Sequence, residues 1–489
     1  MTEPERTPRD LEQGEGSAIF TADPEKSNEE NGTTNTAALN DTDVDHVCQL
    51  ALDFGLAAFR YGSRGECVQR FVVDVLKCYG IEHATCVMTQ SEIFLCVHTV
   101  GTHTRLVTTS SRGDLHHRHS SSSIIRSTST CRYGNPRMWM VLAPSGNNLD
   151  KLSRLAELAK TITNQSSSQD TTSPKPTIQE TSQKVQEIET SANPFGILPS
   201  FLSWVMLGFA LPPILGSTWY DALLGAILAG VNFWISTGID KLRNNHWLAD
   251  GQNLILGFVP AFLSQLAKNF WRHDIGTAIV TLAAIALPLP GYGVSLGVIE
   301  LCCNRIVPGF GHLLEGVVVT VWLSLGAAFG IGIANAIRKP DPITEMPVLV
   351  GDIWQILTVP MLCLSLCIAF QNSYRDMGWS ITCQLFAYAM SYVGSLLGQS
   401  YFGYFVGATA FTLFANIWAI WFNRPNTIIL VPAFVLSISG SIGFRGLLNL
   451  ELGEQELGGQ QFLRMLVVAL VTLTGILVGT TLIKPRTIL

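Results

Sequence analysis

The chain has 489 residues, 47% of them hydrophobic and only 14% charged, with a formal net charge of −6. A soluble protein carries about 25% charged residues, so one water-soluble globular domain is excluded, and the acidic balance argues against a nucleic-acid partner. Eleven cysteines with neither CxxC pairs nor framework spacing exclude a disulfide scaffold.

In chain order, residues 1–45 are acidic, lack apolar content and are expected to form a disordered tail. No charged-then-apolar signal peptide opens the chain, which places the N-terminus in the cytosol. Residues 46–163 read as a small α/β domain. Val47, Leu50, Ala51, Phe54 and Ala58 fall at helical spacing, Tyr61-Gly-Ser-Arg-Gly breaks the pattern, and Val68, Phe71, Val72, Val75 and Leu76 form a second apolar face. Short β-like runs follow at 85–88, 93–98, 105–108 and 138–142, then a helix from Leu149 to Ile162. The Ser/His-rich insert 110–136 holds His116, His117 and His119 without the carboxylates or cysteines of a metal site, and reads as a solvated loop. Residues 164–195 are a Ser/Thr/Gln-rich linker.

Ten apolar stretches come next, at 197–215, 219–238, 252–268, 275–290, 313–335, 352–371, 378–398, 402–422, 427–443 and 461–483. Each approaches the roughly 20 residues that a bilayer needs. They divide into a first five-helix module, 196–338, and a second, 350–484. Within them Gly291, Gly297, Gly309, Gly326 and Gly330 return, without a gap, as Gly440, Gly446, Gly458, Gly475 and Gly479. Five coincidences at one offset exceed the roughly one or two that random placement would give, and indicate internal duplication. Five helices per copy is an odd number, so tandem copies enter the bilayer from opposite sides. Lysines and arginines are too evenly spread over the breaks to fix orientation. The expected fold is therefore an α-helical polytopic membrane protein of about ten transmembrane helices in two five-helix inverted repeats, with a small N-terminal α/β cytosolic domain.

The duplication centres on Leu287-Pro-Leu-Pro-Gly-Tyr-Gly and Leu436-Ser-Ile-Ser-Gly-Ser-Ile-Gly. Proline and glycine open the backbone hydrogen-bond ladder, and opened backbone at membrane depth is tolerated only against protein or a water-filled cavity. Matched interruptions in two halves point to a transporter's binding site; ordinary helix ends are the alternative reading. The candidate substrate-binding residues are Pro290, Gly291, Ser295, Glu300, Ser439, Gly440, Ser441 and Arg445. Glu300 suits a substrate ammonium or a coupling proton, and Arg445 or an open helix N-terminus suits a carboxylate. Asn232, Asn335 and Asn416 read as helix-packing hydrogen bonders. With no GxSxG, P-loop or HExxH pattern, neither an enzyme nor a cofactor is expected.

Further stretches carry a family likeness. Phe54-Gly55 through Tyr61-Gly62, Cys67-Val68, Tyr79-Gly80, Thr104-Arg105-Leu106-Val107 and Leu149–Leu158 resemble the soluble domain of the threonine/serine exporter family, which includes the fungal pheromone-regulated membrane protein 10 group. Pro290-Gly291, Ser295 and Glu300 in the first module, and Pro432, Gly440 and Arg445-Gly446 in the second, resemble its membrane motifs. Ser439 stands where the family has proline, and the 110–136 insert is unlike typical members. The resemblance implies secondary active export of small amino acids such as threonine and serine, or related small polar metabolites, driven by protons, from a plasma or vacuolar membrane. A homo-oligomer is compatible with it. The alternative is a non-transporting membrane scaffold or signalling protein, for which uniformly apolar anchors would suffice.

Overall fold

The computed structural model describes residues 41–63, 65–81, 83–89, 92–97, 137–142, 146, 148–167, 177–241, 251–271, 275–302, 305–339, 350–398, 400–436, 440–452 and 455–484. The tail up to residue 40, the strand run 105–108, the insert 110–136 with its histidines, and Ser439 lie outside the described residues.

Helices α1 (Asp41–Arg60) and α2 (Gly65–Cys78) are followed by strands β1 (Ala84–Met88), β2 (Glu92–Val97) and β3 (Arg137–Leu142), then by α3 (Leu149–Ser167) and α4 (Ile178–Thr190). The strands form an antiparallel sheet in the order β1-β2-β3, with Val87 opposite Phe94 and Leu95 opposite Trp139. Phe54, Phe71, Val75, Ile93, Leu95, Leu149 and Leu155 bury one core between helices and sheet. Helix α4 occupies the stretch whose composition reads as a linker. Ile178, Thr181, Val185 and Ile188 recur at helical spacing, and Val185 joins the core, so burial of one narrow stripe outweighs the polar majority. Helix α1 likewise begins inside the stretch expected to be tail.

The membrane part contains α5 (Ile197–Ile214), α6 (Trp219–Lys241), α7 (Gln252–Trp271), α8 (Thr277–Ala284), α9 (Gly291–Cys302) and α10 (Ile306–Ile337), then α11 (Gln355–Ala369), α12 (Tyr374–Leu397), α13 (Ser400–Phe422), α14 (Thr427–Leu436), α15 (Gly440–Glu451) and α16 (Gln455–Leu482). Among the described residues five helices are long and apolar enough to cross a membrane, namely α5, α6, α10, α13 and α16, and α11 and α14 are shorter apolar helices. On α10, Val307, Phe310, Leu314, Val318, Trp322, Phe329 and Ile333 are exposed along one stripe, the pattern of a helix facing lipid. The chain is thus a mostly helical multipass membrane protein with a small N-terminal sheet.

Two glycine-lined helix pairs organise the modules. Helix α10 lies beside α7 in the same direction: Gly326 abuts the Leu254 carbonyl, and a Cβ at Gly330 would lie 2.7 Å from the Phe258 carbonyl. Helix α16 lies beside α13 in the same way: a Cβ at Gly475 would lie 2.6 Å from the Phe405 carbonyl, and one at Gly479 2.8 Å from Thr412 Cβ. These are four of the duplicated glycines, and no side chain fits between the paired backbones.

The N-terminal domain is docked on the bundle through helix ends. The first N–H groups of α3 lack intrahelical acceptors, and the turn after α11 presents free carbonyls at Phe370 and Gln371. Leu149 N–H donates to the Phe370 carbonyl at 3.1 Å and Asp150 N–H to the Gln371 carbonyl at 3.0 Å, so each end satisfies the other. Beside this junction Arg424, just beyond α13, donates to both Asp376 carboxylate oxygens at 2.8 and 2.7 Å and to Glu157 of α3 at 2.8 Å.

Removing one partner from a buried pair costs about 3–5 kcal/mol, and an exposed pair contributes about 0.2–1 kcal/mol. Arg424→Met, which strands the Asp376 carboxylate (5% exposed), is therefore expected to destabilise by about 3 kcal/mol or more, and Glu157→Ala (52% exposed) by under about 1 kcal/mol. Denaturant titration of the purified protein checks the order. Gly330→Leu and Gly479→Leu are each expected to cost about 1–3 kcal/mol by overpacking. Gly332→Leu, which meets open space, is expected to be close to neutral in the same titration.

Candidate functional site

The first interruption lies between α8 and α9. Residues 285–290 form turns, and Val294 N–H closes the first bond of α9 on the Pro290 carbonyl at 3.0 Å. Asn232 of α6 is fully buried. Its amide donates to the carbonyl of Ala284, the last residue of α8, at 3.2 Å and to that of Leu256 at 3.1 Å. A side-chain amide thus supplies a donor that the broken helix cannot. The second interruption separates α14 from α15, with Gly440 and Ser441 as the opening residues of α15.

Both interruptions border one cavity of about 550 Å³. Leu287, Pro290, Gly291 and Gly293 contribute the first edge, Val435 and Leu436 the second. Leu207, Leu211, Leu362 and Leu366 form apolar walls, and Gln252, His312 and Glu315 add polar groups. Phe59, Gly62, Ser63 and Gly146 of the N-terminal domain complete the lining.

Of the residues expected from sequence, Pro290 and Gly291 lie in this lining. Glu300 is buried on α9, outside the lining, with its carboxylate 3.8 Å from His312 Nε2 on α10. Glu300 Oε2 has no hydrogen-bond partner among the described residues. Ser295 lies on α9 between Gly291 and Glu300. Arg445 is half-buried on α15, and neither it nor Glu300 belongs to the cavity lining.

His312 was missed because apolarity alone starts its helix at residue 313. Helix α10 in fact begins at Ile306 and carries His312 nearly two turns inside. The polar pair His312 and Glu315, at i and i+3 between Gly309 and Gly316, is the sequence signal that marks it.

The remaining buried polar groups hold the bundle together. At the end of α7, Gln265 donates to Asn269 (3.0 Å) and Asn335 (2.9 Å), Thr277 donates to Gln265 (2.8 Å), and Asn269 donates to the Ala334 carbonyl (3.2 Å). In the second module Asn426 donates to Asn416 (2.7 Å), and Asn416 to the Ile483 carbonyl (2.7 Å). Asn232, Asn335 and Asn416 all make hydrogen bonds between helices or to helix ends, as packing residues do. Among the described residues no cluster of three or more metal-ligating side chains occurs.

Residues 49–334 match a family model of threonine/serine exporters, and residues 355–482 match a second model, Threonine/Serine exporter, ThrE. The chain is similar to an uncharacterized protein of Schizosaccharomyces pombe, with 30% identity over 50% of this chain and 30% of that protein. It is also similar to pheromone-regulated membrane protein 10 of Yarrowia lipolytica, with 21% identity over 63% of this chain and 25% of the relative. The corresponding protein of Zygosaccharomyces rouxii is 21% identical over 50% of this chain and 26% of the relative. The matched region thus spans about a quarter to a third of the length of these relatives. No solved structure matches significantly. Family models cover both membrane modules and most of the N-terminal domain, and the chain belongs to the threonine/serine exporter family.

Proposed function

We propose that the chain is a secondary active transporter that exports small amino acids such as threonine and serine in exchange for protons. The observation that carries this reading is the cavity shared by the two interrupted helices, with His312 in its lining and the buried Glu300 carboxylate 3.8 Å from that imidazole, outside the lining. Ionisable groups at membrane depth are costly and are kept where they serve a pathway. A carboxylate 3.8 Å from an imidazole is too far for a direct hydrogen bond, but a bridging water or a small side-chain approach would let the two exchange one proton as solvent access changes. The opening turn of α9, at Gly291 and Gly293, offers backbone N–H groups and the positive end of a helix dipole to a substrate carboxylate. Ser439, Gly440 and Ser441 would meet the substrate from the second interruption, with Arg445 further along α15 supplying positive charge for the substrate carboxylate.

The two modules are read as inverted repeats. Three features support this. Helix α7 brings its first residues, Gln252 and Asn253, to the cavity edge shared with the N-terminal domain, whereas α13 reaches that domain through Arg424 beyond its last residue. The amide clusters sit at the corresponding ends of α7 and α13. The third residue of the second helix is a buried aspartate in both modules. Asp221 accepts from Gly276 N–H at 3.0 Å, ahead of α8, and Asp376 accepts from Arg424, ahead of α14.

Glu300→Gln and His312→Gln are each expected to abolish accumulation of serine driven by a pH gradient in proteoliposomes while leaving serine–serine exchange measurable. Gln is isosteric with Glu and replaces the His ring by a neutral hydrogen-bonding amide, and neither variant carries a titratable proton. Wild-type gradient-driven accumulation in both variants, at normal yield, would show that the pair has no part in coupling.

A further inference from the structure

The cavity is not closed by membrane helices alone. Its wall at one end is the C-terminus of α1, with Phe59, Gly62 and Ser63, joined by Gly146 ahead of α3. Helix α1 stops in a paired cap: Gly62 N–H donates to the Phe59 carbonyl and Ser63 N–H to the Ala58 carbonyl, both at 3.0 Å. The cap needs a left-handed residue after the last turn, and Gly62 supplies it with φ of 99°. Ser63 is thereby held in a fixed position. It is 4% exposed, and its Oγ has no hydrogen-bond partner among the described residues although it lies in the cavity wall. A buried hydroxyl left unpaired is costly, and a polar solute or water in the cavity relieves that cost.

The same loop is tied to the membrane bundle. Asn148 N–H donates to the Tyr61 carbonyl at 3.3 Å, and the next residues, Leu149 and Asp150, bond the carbonyls of Phe370 and Gln371. The Gln371 side chain in turn donates to Ser200 of α5 at 3.2 Å and accepts from Phe195 N–H at 3.2 Å. The wall that carries Ser63 is therefore fastened to the scaffold that shapes the cavity.

We infer that the N-terminal domain is a working wall of the translocation cavity, and that the Ser63 hydroxyl hydrogen-bonds the small polar amino acid passing through it. This rests on the transporter reading above. In full-length protein in proteoliposomes, Ser63→Ala is expected to raise the half-saturation concentration for radiolabelled serine about three- to tenfold, the value of one lost hydrogen bond, with the maximal rate retained. Ser63→Trp, which fills the wall, is expected to block flux in a protein that still elutes as the wild type on gel filtration. Unchanged half-saturation in Ser63→Ala together with full flux in Ser63→Trp overturns the inference and leaves the transporter reading standing. If the wild-type chain carries neither serine nor threonine, that reading of the substrate falls, and Ser63→Cys decides the rest. Its reaction with a water-soluble maleimide, mapped to that residue, upholds an aqueous wall. Protection from the reagent overturns it.

Discussion

Ala284 ends α8 with a carbonyl that no following helical turn can satisfy, and the buried Asn232 amide donates to it at 3.2 Å. That bond exemplifies the constraint on the whole membrane part. In hydrocarbon every backbone N–H and C=O needs a partner, so a helix can be interrupted only where protein or a cavity supplies one. Asn232 meets the need on one side of the break and the cavity lies on the other. The apolar walls around it, from Leu207 to Leu366, leave few polar groups to compete for a solute.

Close helix packing makes such interruptions tolerable. Gly326 and Gly330 let α10 lie directly on the backbone of α7, and Gly475 and Gly479 do the same for α16 on α13. These pairs are continuous helices that buttress the broken ones. Asp221 and Asp376 fix the loops that lead into α8 and α14 from buried positions early in α6 and α12. The two modules differ in what those aspartates accept. In the first the donors are the backbone N–H groups of Gly276 and Thr218 and the Ser217 hydroxyl. In the second a guanidinium fills the place, and its remaining donors reach Glu157 and Ser153 of α3 at 2.8 and 3.5 Å. The second module thereby has an attachment for the N-terminal domain where the first has only a loop.

Much of this arrangement was legible in the sequence because it depends on local chemistry. Pro288, Pro290 and Gly291 mark the first break without reference to any distant residue, and Val68, Phe71, Val72 and Val75 announce their helix by spacing alone. The duplicated glycines were visible as an offset, although their partners were not. Features set by tertiary contact could not be read in the same way. Helix α4 is polar in composition and is held by the few residues it buries. His312 was set outside its helix because the apolar run begins only after it. Ser63 is one serine in a loop until the docking of α3 on Phe370 and Gln371 turns that loop into a cavity wall. Arg424 looks like a solvated loop cation until Asp376 and Glu157 meet it from two directions.

The central claim is that the cavity between the broken helices carries small amino acids across the membrane. Counterflow measures this most directly: purified full-length protein in liposomes preloaded with unlabelled threonine or serine, with a trace of the labelled amino acid outside. The account predicts a transient accumulation of label above that of protein-free liposomes, lost when Leu287 and Leu436 on opposite edges of the cavity are both replaced by tryptophan. Uptake equal to that of protein-free liposomes, from protein that remains monodisperse, would contradict it.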